Sequence, residues 1–258
     1  MLIDLHSHLD HPLIYEKLDS VIENAKKAGL KHIITNGINP ETNRKCLEIS
    51  EKYDIVECAM GIYPRNALKR EVENNDYSLG NPDFDINEEI SFIKKNKGKI
   101  KAISEVGLDF VNGEDRQQIV DFEKMIKLSQ EMNKPIVVHS RKAEQKCIEV
   151  LESFSLKKVI MHCFCGKKSL VKRIRDNGWF FSVPTTVVRA QQFQELVKEV
   201  PLSQLFCETD TPFLSPYKDK LNEPAFIVES YKKIAEIKGM ELKEVINNVY
   251  MNWQRVFE

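Results

Sequence analysis

A chain of 258 residues with 42% hydrophobic and 30% charged residues is ordinary globular material, long enough to bury a sizeable core without cross-links. Lys and Arg number 38 against 39 Asp and Glu, a net charge of −1 that excludes an overall basic nucleic-acid coat or a membrane-surface protein, though not a local basic patch. Apolar stretches such as residues 179–183 are far too short for a membrane span, and the opening MLIDLHSHLD has neither the basic start nor the apolar core of a secretory leader.

Short β-branched runs predict strands over residues 2–7 (LIDLHS), 32–36, 55–61, 100–105, 135–139, 158–162, 179–183 and 204–209. Between them, three- and four-residue apolar spacing predicts helices over 16–28, 41–53, 86–96, 115–133, 143–154, 167–177 and 189–199, with more helix from 223 to 257. Asn39-Pro40 ahead of Glu41 has the form of a helix start. The polar, turn-rich segment 64–85 reads as a lid or a solvated insertion. Eight strands, each followed by helical sequence, predict an α/β fold: one (β/α)8 TIM barrel filling 1–258 as a single domain. An open doubly wound sheet is the alternative, but no glycine-rich phosphate loop follows the first strand. The six cysteines form no CxxC pair and sit mostly in apolar runs, so buried thiols in a reducing cytoplasm are expected.

Only six histidines occur, and four stand at strand ends. His6 and His8 lie two apart at the end of the first run and share a face; His139 ends PIVVH and His162 ends KVIMH. Glu105 ends IKAISE, and Asp210 follows QLFCET. In a parallel barrel all C-terminal strand ends meet on one rim, where active sites lie, so these six donors from five segments should gather there as a metal site. Four imidazoles and two carboxylates are too many for one tetrahedral ion and suit two divalent ions, with Glu105 as the natural bridge. The excess positive charge would welcome an anionic substrate such as a phosphodiester, and an acidified water would supply the nucleophile. Asp4 and Glu208 share strand faces with these donors and are expected to point inward and orient imidazoles, unless they pair with a basic residue such as Lys101.

The set LIDLHSHLDH, GIYPR, SEVGLDF, KPIVVHSR, MHCFCG, ETDTPFLSP, NEPAFI and NNVYMNWQRVF, in order along essentially the whole chain, resembles the TatD family of metal-dependent deoxyribonucleases, within the amidohydrolase superfamily. The resemblance implies a (β/α)8 barrel, a dinuclear centre and hydrolysis of DNA phosphodiesters, often as a 3′-to-5′ exonuclease. His6, His8, Glu105, His139, His162 and Asp210 match the family's metal-ligand positions. The catalytic pair it implies is Glu105 as bridge and Asp210 as a ligand that contacts the attacking water.

The chain departs from the family at Gly61-Ile62-Tyr63-Pro64-Arg65, where two histidines are usual, and at SPYKDKL, which offers only Lys218 and Lys220 where an arginine-glycine-basic segment is typical. It also has HCFCG (162–166) for HCF-S-G. Arg141, two residues after His139, is expected near the rim as a phosphate ligand; Arg65 and Tyr63 are candidates to hold a phosphate and stack a base. The basic run 94–101 precedes the fourth strand and should lie at the opposite end. Single-stranded or frayed DNA is the expected substrate, with zinc, manganese or magnesium as the metal and no membrane or obligate protein partner legible. Two alternatives remain: an amide or aminoacyl-ester hydrolase of the same superfamily, and a nucleic-acid-binding barrel whose metal is structural. Glu105 in place of a carbamylated lysine speaks against the first, and open coordination positions speak against the second.

Overall fold

The computed structural model describes residues 1–73 and 83–258, residues 71–73 by their backbone alone. Eight parallel strands follow one another around a single sheet: β1 (Leu2–Ser7), β2 (Leu30–Gly37), β3 (Val56–Met60), β4 (Ile100–Gly107), β5 (Ile136–His139), β6 (Val159–Met161), β7 (Phe180–Pro184) and β8 (Leu205–Glu208). Each matches a predicted run to within two residues at either end. Helices fill the crossovers, as right-handed β-helix-β connections require. The sheet curls until β8 meets β1, giving the expected (β/α)8 barrel.

The seam between β1 and β8 is held differently at its two ends. At the C-terminal rim, His8 N–H donates to the Thr211 carbonyl and Asp210 N–H to the His6 carbonyl, both at 2.8 Å. Lower down, the buried hydroxyl of Tyr231 both accepts from Ile3 N–H and donates to the Ile3 carbonyl, each at 3.1 Å. A helix side chain thereby satisfies polar groups that a neighbouring strand would otherwise take, as buried backbone demands. Apolar residues such as Ile33, Ile103, Val137, Ile160 and Phe181 are fully buried and form one continuous core.

Local chemistry explains the helix boundaries. Asn39 caps the helix Pro40–Lys52: its side chain accepts from Thr42 N–H at 2.9 Å, and Thr42 Oγ1 accepts from Asn39 N–H at 3.0 Å, with Pro40 in the first turn. The helical stretch expected from 223 divides at Gly239, which takes a left-handed conformation (φ 63°) between Ile227–Lys238 and Leu242–Phe257. The polar segment expected as a lid or insertion begins instead as a helix, Arg65–Glu73; residues 74–82 of it lie outside the described residues. Lysines of the basic run pair with acids at the far end of the barrel, Lys94 with Glu131, Lys99 with Glu51 and Lys101 with Glu57, at 2.7, 2.7 and 3.0 Å. Among the described residues, no helix is long and apolar enough to cross a membrane. All six cysteines are free thiols, four of them buried.

Gly107, at the end of β4 beside His139, leaves no room for a side chain. A Cβ there would stand 1.9 Å from the His139 carbonyl oxygen, and its φ of +147° is one that L-residues resist. Gly107→Ala should cost about 2–4 kcal/mol in urea unfolding. Gly98→Ala, where nothing lies within 4 Å, should shift stability by less than about 0.5 kcal/mol.

Candidate metal centre

Parallel strands bring their C-terminal ends to one rim, and six titratable side chains converge there. His6 lies in β1 and His8 just past it, Glu105 lies in β4, His139 ends β5, His162 follows β6, and Asp210 follows β8 by two residues. Asp210 has a left-handed backbone (φ 58°), fixed by its bond to the His6 carbonyl and by Phe213 N–H donating to its own carbonyl at 2.8 Å. That turn swings its carboxylate back over the barrel mouth, toward His6 and His8.

Glu105 sits between two sets of donors. Its Oε2 lies 3.4 Å from His6 Nε2 and 3.6 Å from His8 Nε2, while Asp210 Oδ1 lies 3.7 and 3.5 Å from the same two nitrogens. The two Nε2 atoms are 3.3 Å apart. Donors about 2.1 Å from one tetrahedral ion stand roughly 3.4 Å from each other, so these separations suit a cation at their centre. On the other side, Glu105 Oε1 lies 3.0 Å from His139 Nδ1 and 3.9 Å from His162 Nε2. The donor set therefore fits divalent metal, and the two carboxylate oxygens face different histidines.

Three of the four imidazoles are oriented from behind, which fixes the nitrogen each presents. His162 Nδ1 donates to Glu208 Oε2 at 2.8 Å, and the other Glu208 oxygen accepts from Cys163 N–H at 3.0 Å. His8 Nδ1 donates to the Asn36 carbonyl at 3.1 Å. His139 Nε2 faces Asp109 Oδ2 at 3.2 Å, and Arg70 grips that carboxylate through two nitrogens at 3.1 and 3.0 Å. Asp109 and Asn36 escaped the sequence reading, although Asp109 stood within the SEVGLDF run, four residues after Glu105. His6 Nδ1 is buried and has no hydrogen-bond partner among the described residues.

Asp4 behaves otherwise than expected. Its carboxylate accepts from Thr209 N–H and Oγ1–H at 2.8 and 2.6 Å and so ties β1 to the end of β8, without touching an imidazole ring. Burial pushes its carboxyl well above the usual range, with the Thr209 bonds only partly opposing that. The alternative partner, Lys101, is engaged at the other end of the barrel with Glu57.

The cluster is an interlocked set of charges. Burial disfavours the ionised carboxylates, yet hydrogen bonds from His139 and His6 hold Glu105 well below the usual range, and His8 holds Asp210 below it. Burial likewise opposes charge on the imidazoles, but Asp210 raises His8 to about 9 and Glu208 raises His162 to about 10. His6, buried against His162, moves down.

Above the cluster opens a pocket of about 580 Å³, walled in part by Tyr63, Arg70 and Arg141. Arg141 is exposed there, with no carboxylate within ion-pair distance among the described residues. Tyr63 is buried, its hydroxyl 3.4 Å from His139 Nε2 and its ring edge-on to that imidazole, so it packs on His139 in place of offering a stacking face. Arg65 does not line the pocket: its Nε binds Asp121 Oδ2 at 3.2 Å, which removes it as a phosphate ligand. Lys218 and Lys220 line a neighbouring depression that shares Pro212 and Leu221 with the pocket.

Comparison with known proteins agrees with this geometry. Residues 3–258 match the family model for TatD-related DNases. The chain is 34% identical over 267 aligned residues to the human deoxyribonuclease TATDN3, covering 99% of this chain and 94% of that one. It is 32% identical to the metal-dependent hydrolase YabD of Bacillus subtilis, over 100% of this chain and 99% of that one. The crystal structure of the TatD homologue YJJV of Escherichia coli superposes with a TM-score of 0.86 at 23% identity, covering 99% and 97% of the two chains, and shares the barrel fold. A family match over nearly the full length, on a barrel of this topology, makes the chain a member of the TatD-related DNase family.

Proposed function

We propose that this protein is a metal-dependent deoxyribonuclease that hydrolyses phosphodiester bonds from the ends of single-stranded or frayed DNA, 3′ to 5′, at a centre of two divalent cations, as a single-domain enzyme of the cytoplasm. The observation that carries the dinuclear reading is the divided carboxylate of Glu105, with Oε2 toward His6 and His8 and Oε1 toward His139 and His162. His6, His8, Asp210 and Glu105 would hold one cation, and His139, His162 and Glu105 the other. The deoxyribonuclease activity carried by the name of TATDN3 supports the substrate class, and the four buried free thiols suit a reducing compartment. Imidazole-rich ligation favours zinc or manganese, with magnesium the hard-ligand alternative.

Bound divalent cations supply Lewis acidity toward a phosphoryl oxygen and an acidified water. The chain's own residues do the rest. Asp210, kept ionised by His8, would take the proton of the attacking water at a carboxylate oxygen. Arg141, exposed on the pocket wall, would bind a non-bridging phosphate oxygen. Glu208 and Asp109 keep His162 and His139 from rotating away. The reading is tested with labelled single- and double-stranded oligonucleotides under metal titration, beside an aminoacyl ester. Ester cleavage with intact oligonucleotides would move the protein to the amide and ester hydrolases.

Glu105→Gln removes a charge and the bridge while keeping shape, so it should lower metal stoichiometry in elemental analysis and collapse turnover. Unimpaired activity with both metals retained would sink the dinuclear centre. Asp210→Asn keeps one ligand oxygen but no base, and should retain at least one metal while losing on the order of 10²–10⁴ in rate. Wild-type turnover in that variant across pH 5–9 would remove the proton-handling role.

Metal uptake should depend on pH with a definite sign. In the metal-free protein His8, at about 9, and His162, at about 10, carry protons at neutral pH, and a protonated nitrogen cannot ligate. Raising the pH therefore removes a competitor. His139 is raised as well by Asp109 and Glu105 against its burial, so calorimetry in buffers of different ionisation enthalpy should show at least two protons released per protein at pH 7, with apparent affinity rising toward pH 9. Proton release near zero at pH 7 would contradict it.

A further inference from the structure

The mouth of the metal pocket is apolar where a site for extended nucleic acid should be basic. Among the described residues, nine large apolar side chains are exposed, and four of them, Leu13, Val111, Phe213 and Leu221, line this one pocket. They come from the segments that follow β1, β4 and β8, so no single helix face or core edge accounts for them. Apolar groups concentrated at one concave site mark ligand contact. Phe213 is 45% exposed, and its ring stands edge-on to His11 and His8, with centroids 5.6 and 6.5 Å away. An aromatic surface is thereby fixed directly beside a donor of the metal centre.

Cations are sparse on the walls of the pocket itself, Lys218 and Lys220 standing in the neighbouring depression. Arg70 and Arg141 are the cationic residues on its walls apart from histidine, and Arg70 is already bound to Asp109. A strand tracked along its backbone would need a row of such groups.

Resting on the phosphodiesterase reading above, we propose that Phe213, with Leu13, Val111 and Leu221 around it, forms a seat for one nucleobase next to the scissile phosphate. The enzyme thus recognises a terminal nucleotide by stacking, and leaves the remainder of the strand in solvent. An apolar rim rewards the face of a base, which every base possesses, so the seat tolerates any sequence.

The test uses the full-length, manganese-loaded protein on oligothymidylates of two, four, eight and sixteen nucleotides at several salt concentrations. It compares wild type with Phe213→Ala, and a normal terminal nucleotide with an abasic one. KM should vary by less than about threefold with length, and the slope of log KM against log salt should stay below about 2, the value for at most three phosphate contacts on a single strand. Phe213→Ala should raise KM for the base-bearing end by ~5- to 50-fold, at least fivefold more than for the abasic end. A KM that falls tenfold or more with length, or an equal penalty on both ends, overturns the seat. If wild type cleaves no oligonucleotide at all, the phosphodiesterase reading falls, and the seat is then decided by binding of thymidine 5′-monophosphate. Binding weakened at least fivefold by Phe213→Ala supports it, and equal binding overturns it.

Discussion

The structure is organised around one carboxylate held between two groups of imidazoles. Glu105 lies almost fully buried at the mouth of a barrel, where an uncompensated charge would be expelled or neutralised. It stays ionised because His139 and His6 hydrogen-bond it and the remaining histidines surround it. Its neighbours are constrained in turn: His162 by Glu208, His139 by Asp109, His8 by the Asn36 carbonyl. The result is a rigid, preorganised set of lone pairs, as tight binding of small cations at defined distances requires.

That preorganisation reaches outward through Asp109. Its carboxylate joins His139 to Arg70, and Arg70 belongs to the helix Arg65–Glu73 at the pocket wall. One face of the pocket is thus tied by two successive ion pairs to a residue that touches Glu105. On the opposite side, Asn222 performs the equivalent service for the segment after β8. Its buried amide donates to the carbonyls of Thr209 and Phe213 at 2.6 and 2.8 Å and to Thr185 Oγ1 at 2.9 Å. Asp210 lies inside the loop so clamped. The pairing of ETDTPFL with NEPA in the sequence therefore has a mechanical meaning.

What the sequence revealed, and what it hid, follows from how locally each feature is determined. Strands and their ends were legible because buried parallel strands are short apolar runs, and the six donors were legible because each terminates or follows such a run. The helix Arg65–Glu73 was hidden because RNALKREVE is mostly polar, and much of its helical character comes from the neighbours it packs against. Asp4 was read correctly as buried but assigned the wrong partner. Whether it meets an imidazole or a threonine depends on how β1 and β8 abut across the seam, which no one-dimensional pattern contains. Arg65 was misjudged for a similar reason: its reach to Asp121 is set by a tertiary contact between two helices.

The seam itself carries a consequence for biogenesis. Two of the backbone bonds that close the barrel run from His8 to Thr211 and from Asp210 to His6, linking parts of the chain about two hundred positions apart. The donors at that rim therefore belong to the first and the eighth strands of the barrel. A nascent chain that has not yet delivered β8 holds His6 and His8 but neither Asp210 nor the strand that presses against them. The rim that carries His6, His8 and Asp210 therefore closes only after β8 and the segment behind it have joined β1, in whatever order the other strands assemble.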